Sequence, residues 1–114
     1  MPRKLWGAAT IADASHRREV YALRDPRDNT IRYVGMSVDA RQRLTQHLHG
    51  YVGNKYERRW ISELQKIGLS PTLLILETIP EGPNAYEIAC EREKFWIQEM
   101  IQANEPLLNR KGIV

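Results

Sequence analysis

The stretch VYALRDPRDNTIRYVG, residues 20–35, decides how this chain begins to fold. Its two ends, VYALRD (20–25) and TIRYVG (30–35), are rich in the β-branched and aromatic residues that favour strands. Between them, PRDN (26–29) is a cluster of turn-forming residues. The pattern therefore predicts a hairpin, and two strands joined by so short a loop must pair antiparallel.

Helical patterns and a third strand follow the hairpin. Helices are predicted in SVDARQRLTQHLHG (37–50), where Asp39 suits the N-cap, in KYERRWISELQKIG (55–68) and in residues 84–103. PTLLILETIP (71–80) is a short apolar run bounded by prolines, which is typical of a buried strand. The order ββααβα predicts an α+β fold with a small three-stranded, mainly antiparallel sheet flanked by helices.

Length, charge and cysteine content narrow the class of protein. A chain of 114 residues suits one compact domain, and its net charge of +3 leans mildly toward anionic partners. The single cysteine, Cys90, allows neither a disulfide within the chain nor a cysteine-based zinc site, so we expect a reducing, cytoplasmic setting. No apolar run reaches the roughly 18 residues of a membrane span, and the N-terminus lacks the apolar block of a secretory signal.

Two pairs of polar residues stand out in the first half of the chain. Tyr21 and Tyr33 lie on the two predicted strands, and a short hairpin can set them near each other on one face. Aromatic packing alone would also explain such a pair. Arg43 and His47 share one face of the next helix, at the border of its buried and exposed sides. A solvated arginine and a boundary histidine are the simpler interpretation of that pair.

Glu93 interrupts an apolar pattern in the helix predicted over residues 84–103. The apolar residues of this segment recur at helical spacing, and their stripe passes through position 93. A carboxylate on such a stripe must be paired, protonated or bound to a cation. A salt bridge to an arginine or lysine is one interpretation. The other is that Glu93 faces a cleft and holds a hard divalent cation, which prefers oxygen ligands.

Weaker signals come from the second predicted helix and the tail. Lys55, Arg58 and Arg59 cluster on one side of the helix, where they form either a solvated face or a contact for phosphates. Asn109, taken alone, is a turn residue.

The combination and order of these residues resembles the GIY-YIG nuclease family. EVY (19–21) is similar to the first tripeptide of the family and YVG (33–35) to the second. The segment YVGMSVDARQRLTQH (33–47) resembles the extended motif that contains the family's arginine and histidine, which are here Arg43 and His47.

The second half of the chain extends the resemblance. EREKFWI (91–97) is similar to the helix that carries the metal-binding glutamate of the family, which falls on Glu93. Asn109 takes the place of the C-terminal asparagine of the family. The resemblance thus covers residues 19–109, nearly the whole chain, through several separate motifs.

The resemblance divides the chain into an N-terminal arm of unknown role, residues 1–18, and a GIY-YIG-like nuclease domain, residues 19–114. The chain departs from the family pattern at Glu19, where the first tripeptide of the family has glycine. That glycine is the least chemically committed position of the tripeptide. We therefore expect Glu19 to affect how the strand begins and not the chemistry.

The resemblance implies a metal-dependent endonuclease that hydrolyses phosphodiester bonds in DNA. Glu93 would hold Mg²⁺ or Mn²⁺, and Arg43 would contact the scissile phosphate. Tyr21 would position or deprotonate the attacking water, for which nearby cations or hydrogen bonds must favour its phenolate. Tyr33 and His47 would support Tyr21, and either of them could instead be the base.

Substrate contacts follow from the same resemblance. Gly35, which has no side chain, would allow backbone or substrate to approach closely. Lys55, Arg58 and Arg59 would contact phosphates, and Asn109 would orient a strand or a ligand through its amide. Double- and single-stranded DNA both stay open as substrates, as does a partner protein that supplies targeting.

The alternative is a nucleic-acid-binding or adaptor module that kept the fold without the activity. Tyr21, Arg43 and Glu93 discriminate between the two interpretations, since a decayed copy would usually have lost one of them. All three are present, which favours the enzyme.

Overall fold

The computed structural model describes residues 14–109 of the chain. Positions 1–13, most of the predicted N-terminal arm, and positions 110–114 lie outside the described residues. Within residues 14–109 no helix is long and apolar enough to cross a membrane. The elements confirm the predicted α+β fold and its order ββααβα: β1 (Arg18–Arg24), β2 (Ile31–Ser37), α1 (Ala40–Leu48), α2 (Lys55–Lys66), β3 (Thr72–Ile79) and α3 (Ala85–Gln102).

The sheet has the strand order β2-β1-β3, and both pairings are antiparallel. β1 is central, and residues 20–23 within it are at most 1% exposed. β3, predicted as a buried strand, is instead an edge strand of the described sheet, and Ile75 in its middle is 45% exposed. An apolar run does not reveal whether a strand has neighbours on both sides, because that depends on pairing with distant segments.

Side chains of β1 alternate between two core clusters, as expected for a strand covered on both faces. Val20 and Ala22 belong to a cluster that includes Ala85 and Ala89 of α3. Tyr21 and Leu23 belong to a second cluster, which is built with residues of α1, α2 and the C-terminal segment: Ala40, Trp60, Ile61, Leu64 and Leu108. The second face, under α1 and α2, is therefore the one that receives Tyr21.

Polar side chains fix where α1 and α2 begin. Asp39 accepts a hydrogen bond from the Gln42 N–H at 3.1 Å, which confirms it as the N-cap of α1. Asn54 likewise accepts from the Glu57 N–H of α2 at 2.9 Å. The Asn54 amide also donates to the Leu108 carbonyl at 2.7 Å, so the start of α2 is tied to the C-terminal segment.

A buried carboxylate joins the hairpin loop to α2. Asp25 has no exposed surface, and its side chain accepts hydrogen bonds from Arg27 and from the Trp60 indole, the latter at 3.0 Å. An Arg32 guanidinium nitrogen lies 3.3 Å from the same carboxylate. The hydrogen bonds from Arg27 hold the pKa of Asp25 well below its usual range. Asp25 is therefore ionised in the folded protein and anchors the loop.

Asp25→Asn should lower the free energy of unfolding by about 2–3 kcal/mol at pH 7, since hydrogen bonds to a charged group are lost. Because folding depresses the pKa of Asp25, its stabilising contribution is complete above the pKa of an unfolded aspartate and is lost as pH falls below it. The difference between wild type and variant should therefore shrink between about pH 5 and pH 3. Urea unfolding of wild type and Asp25→Asn at about pH 5 and pH 3 measures this difference.

Asp28→Asn is the matched control in the same loop. Asp28 is half exposed, lies 3.8 Å from Arg32 and accepts hydrogen bonds from Thr30. Asparagine keeps an acceptor oxygen for Thr30, so Asp28→Asn should cost at most about 1 kcal/mol. Equal stability of Asp25→Asn and wild type at pH 7 would contradict the anchoring role of Asp25.

Candidate active site

The hairpin register sets two tyrosines on one face of the sheet. Tyr21 lies opposite Gly35, and Tyr33 lies opposite Leu23, so the two tyrosines project to the same side. Their ring centroids are 6.4 Å apart, and Tyr21 is 1% exposed. The predicted proximity of the pair is confirmed.

Gly35 makes room for the Tyr21 phenol. A Cβ at position 35 would lie 2.5 Å from Tyr21 Oη, closer than two non-bonded atoms can approach. Tyr21 therefore lies across β2 where a side chain would otherwise stand. The close approach expected at Gly35 is made by a side chain of the protein itself, and an approach by substrate stays a prediction.

α1 places His47 over both tyrosines. His47 Nε2 lies 2.8 Å from Tyr21 Oη, and the imidazole centroid is 5.0 Å from that of Tyr33. His47 is only 1% exposed, so the boundary position expected from the helix pattern is wrong. The spacing of apolar residues shows which face of α1 turns inward, but not how far the sheet reaches around that face.

Glu57 is a site residue that the sequence reasoning missed. It has no exposed surface, and its carboxylate contacts His47 Nδ1. The signal was available, because position 57 falls at helical spacing with the other buried residues of α2: Trp60, Ile61 and Leu64. A glutamate at a position of an apolar helical stripe indicates a functional residue at Glu57 by the same reasoning as at Glu93.

Arg43 and Glu93 act electrostatically on the tyrosine pair. Burial raises the pKa of Tyr21 well above its ordinary value and that of Tyr33 to about 12. The positive charge of Arg43 opposes this rise, and the negative charge of Glu93 adds to it. The charges of Arg43 and Glu93 therefore each affect the pKa of both phenols. Burial outweighs Arg43, so Tyr21 is a neutral phenol in the free protein.

The carboxylates and histidines of the described residues favour a magnesium-type ion over zinc. Within residues 14–109 no group of three or more His, Cys, Asp or Glu side chains could hold an ion, which does not fit a resident zinc site. Magnesium keeps several waters and uses one or two carboxylates together with substrate phosphate. A single half-buried carboxylate such as Glu93, whose charge acts on Tyr21 and Tyr33, fits such an ion.

Asn109 attaches the C-terminal segment to β2 beside the tyrosines. Its amide oxygen accepts from the Val34 N–H at 2.9 Å, and its amide nitrogen donates to the Val34 carbonyl at 2.6 Å. Val34 lies between Tyr33 and Gly35, so this pairing orients the strand at the site. The contact favours the strand-orienting role of Asn109, and a contact with substrate stays a prediction.

The predicted phosphate contacts of α2 lie on its surface. Lys55, Arg58 and Arg59 are all exposed. Arg58 donates to the Gly53 carbonyl, and Lys55 Nζ lies 5.2 Å from the ring centroid of Tyr56. The three side chains point away from the buried face that carries Glu57, and their contact with DNA stays a prediction.

Glu19, which replaces the glycine of the first tripeptide, connects β1 to α1. Its carboxylate accepts a hydrogen bond from the Ala40 N–H at 2.9 Å, at the first turn of α1. The N-terminal N–H groups of a helix have no partner within the helix, and a carboxylate there is favourable. Glu19 thus fixes the start of the helix that carries Arg43 and His47.

This fold, with Tyr21, Tyr33 and His47 packed together between the sheet and α1, is that of a nuclease-type protein. A family model described as the GIY-YIG catalytic domain matches residues 19–104. The chain belongs to the GIY-YIG family, whose members are endonucleases that act on nucleic acid and generally depend on divalent metal ions. No curated protein and no solved structure gives a significant match to the chain.

Proposed function

We propose that this chain is a divalent-metal-dependent endonuclease that hydrolyses phosphodiester bonds in DNA. The main support is one phenol that contacts a histidine and on which the charges of an arginine and a glutamate both act. Tyr21 Oη lies 2.8 Å from His47 Nε2, and the charges of Arg43 and Glu93 both act on Tyr21. An adaptor module would not need a buried tyrosine and histidine in contact beside a cation and a carboxylate.

Arg43 and Glu93 address the charge of the phosphate. Arg43 contacts a scissile phosphate oxygen through its planar fork and offsets charge that grows in the transition state. Glu93 would hold the divalent ion, Mg²⁺ or Mn²⁺. An ion bound there would supply further positive charge to offset the charge that develops as the phosphodiester is cleaved.

Tyr21 and His47 accept and pass on the proton of the attacking water. Because burial disfavours a free Tyr21 phenolate, the phenol needs a proton acceptor in contact with it, and His47 Nε2 is in place. As the water oxygen bonds to phosphorus, its proton passes to Tyr21 Oη and the phenol proton passes to His47. The bond from phosphorus to the 3′ oxygen breaks, and that oxygen takes a proton from solvent. Tyr33 supports the pair by packing its ring on His47.

DNA contacts outside the site are part of the same proposal. The exposed side chains of Lys55, Arg58 and Arg59 give α2 a basic face for the phosphate backbone. So small a surface suits weak sequence preference, single-stranded DNA or a partner protein that supplies targeting. A cytoplasmic location, in contact with DNA, is the setting that the free thiol of Cys90 favours.

Purified protein should cut supercoiled plasmid or a labelled single-stranded oligonucleotide in Mg²⁺ or Mn²⁺ and lose this activity in EDTA. Removal of the ion takes away positive charge at the phosphate, so cleavage should fall by at least about 1,000-fold. Excess Mg²⁺ added to the EDTA reaction is the control and should restore cleavage. Cleavage that survives EDTA would remove the metal from the mechanism. Binding of DNA without cleavage of either substrate would support the adaptor instead.

A further inference from the structure

We propose that Glu57 is a positioning residue that holds His47 in the tautomer whose Nε2 accepts a hydrogen bond from the Tyr21 hydroxyl. The inference rests on the proposed function, because it gives the reacting phenol a defined proton acceptor. It begins with the burial of two polar groups: Glu57 has no exposed surface, and His47 is 1% exposed.

The chemistry of the two contacts determines where the proton lies. With Glu57 ionised, its carboxylate can only accept hydrogen bonds, so the hydrogen in its contact with His47 lies on Nδ1. In a neutral imidazole the other nitrogen is then an acceptor. Nε2 is that nitrogen, and its partner at 2.8 Å is Tyr21 Oη. The Tyr21 hydroxyl therefore donates to His47, and its oxygen is left to accept a hydrogen bond from water.

Helix capping does not account for Glu57. The residue stands three positions after the N-cap Asn54, where a glutamate commonly folds back onto the N-cap backbone. Here the carboxylate turns to His47, and within residues 14–109 neither of its oxygens has another hydrogen-bond donor. Burial of a carboxylate without further donors is costly. The arrangement is understandable if the carboxylate serves His47.

The loop before α2 is shaped around this carboxylate. Gly53 has a φ of +91°, a conformation that other residues adopt only with strain. A Cβ at position 53 would also collide with the Glu57 carboxyl group. Gly53 thus satisfies the turn and leaves the space that Glu57 occupies. A backbone built to admit one carboxylate is a second observation that points to a specific role for Glu57.

The charge that develops on His47 gives this position a consequence for the reaction. When the Tyr21 proton reaches Nε2, His47 becomes an imidazolium with hydrogens on both nitrogens. Glu57 then contacts that positive charge directly at Nδ1. Arg43 and Glu93 act on the neighbouring tyrosines with charges of opposite sign. Glu57 therefore both orients the acceptor and lies against the positive charge that forms on it during the reaction.

The test compares Glu57→Gln with wild type by the imidazole ¹⁵N shifts of His47 and by cleavage kinetics. In wild-type protein the shifts should show hydrogen on Nδ1. The glutamine amide can donate to Nδ1 and so move the hydrogen to Nε2. We expect kcat to fall by about 100-fold or more with KM changed by less than about 3-fold, as when a histidine loses the carboxylate that fixes its tautomer. Glu63→Gln, an exposed position of the same helix, is the matched control and should keep wild-type kinetics and shifts.

The wild-type shifts keep the inference testable even if Glu57→Gln does not fold. Hydrogen on Nε2 of His47 in the free wild-type protein overturns the inference, and so does a folded Glu57→Gln protein with wild-type kcat. These results differ from failure of the proposed function. A wild-type protein that cuts no DNA defeats the nuclease assignment, whereas the ¹⁵N shifts still decide the tautomer.

Discussion

Glu93→Gln should abolish metal-dependent cleavage of DNA, with kcat lower by at least about 1,000-fold, because a neutral amide is a poor ligand for Mg²⁺. The substitution keeps the shape of the half-buried side chain and removes its charge. Initial rates of plasmid cleavage across a Mg²⁺ titration measure the loss. Binding of Mn²⁺ by calorimetry in the presence of a short oligonucleotide should weaken in parallel.

Two controls separate the metal from the fold in this experiment. Glu91→Gln changes an exposed glutamate of the same helix and should leave cleavage within about 2-fold of wild type, since isolated surface charges contribute little. Thermal unfolding of both variants shows whether α3 is intact. A folded Glu93→Gln protein that cuts DNA at the wild-type rate would remove Glu93 as the metal ligand.

Tyr21→Phe should lower kcat by about 100- to 10,000-fold, the usual contribution of a positioned acid–base group. The change removes only Oη, so the ring still packs across β2 at Gly35. It takes away the atom that accepts the proton of water in the proposed mechanism. It also leaves His47 Nε2 buried without its partner, which should cost about 1–3 kcal/mol of stability.

The cleavage kinetics of Tyr33→Phe and Tyr56→Phe are the controls for Tyr21→Phe. Tyr56 is 36% exposed, so the loss of its hydroxyl should not affect cleavage. Tyr33 contacts His47 through its ring, and its hydroxyl should matter less than that of Tyr21. If Tyr33→Phe shows the larger loss, Tyr33 and not Tyr21 is the residue that handles the proton of water.

Local rules predicted much of this molecule. Alternation along two strands and a short loop were sufficient to place Tyr21 near Tyr33. Capping preference identified Asp39 as the N-cap of α1, and the order ββααβα followed from periodicity. These features depend on residues close together in the chain, where the backbone has few alternatives.

Contacts between distant segments could not be predicted in the same way. Helical spacing marked the inward face of α1, but it did not reveal that His47 is fully buried against Tyr21 and Tyr33. The edge position of β3 was not predicted either, because it depends on which distant strands pair with β3. Glu57 could have been noticed on the buried face of α2, yet nothing in its neighbours along the chain indicates a histidine ten residues earlier as its partner.

The sequence by itself determined the elements, their order and the motif residues, because propensity, capping and periodicity act within a few residues. Only the tertiary structure decided that His47 contacts Tyr21 through one ring nitrogen and Glu57 through the other, and that burial keeps the Tyr21 phenol protonated. The physical reason is that burial and pKa depend on the atoms packed around a group, and those atoms come from strands and helices far apart in the chain.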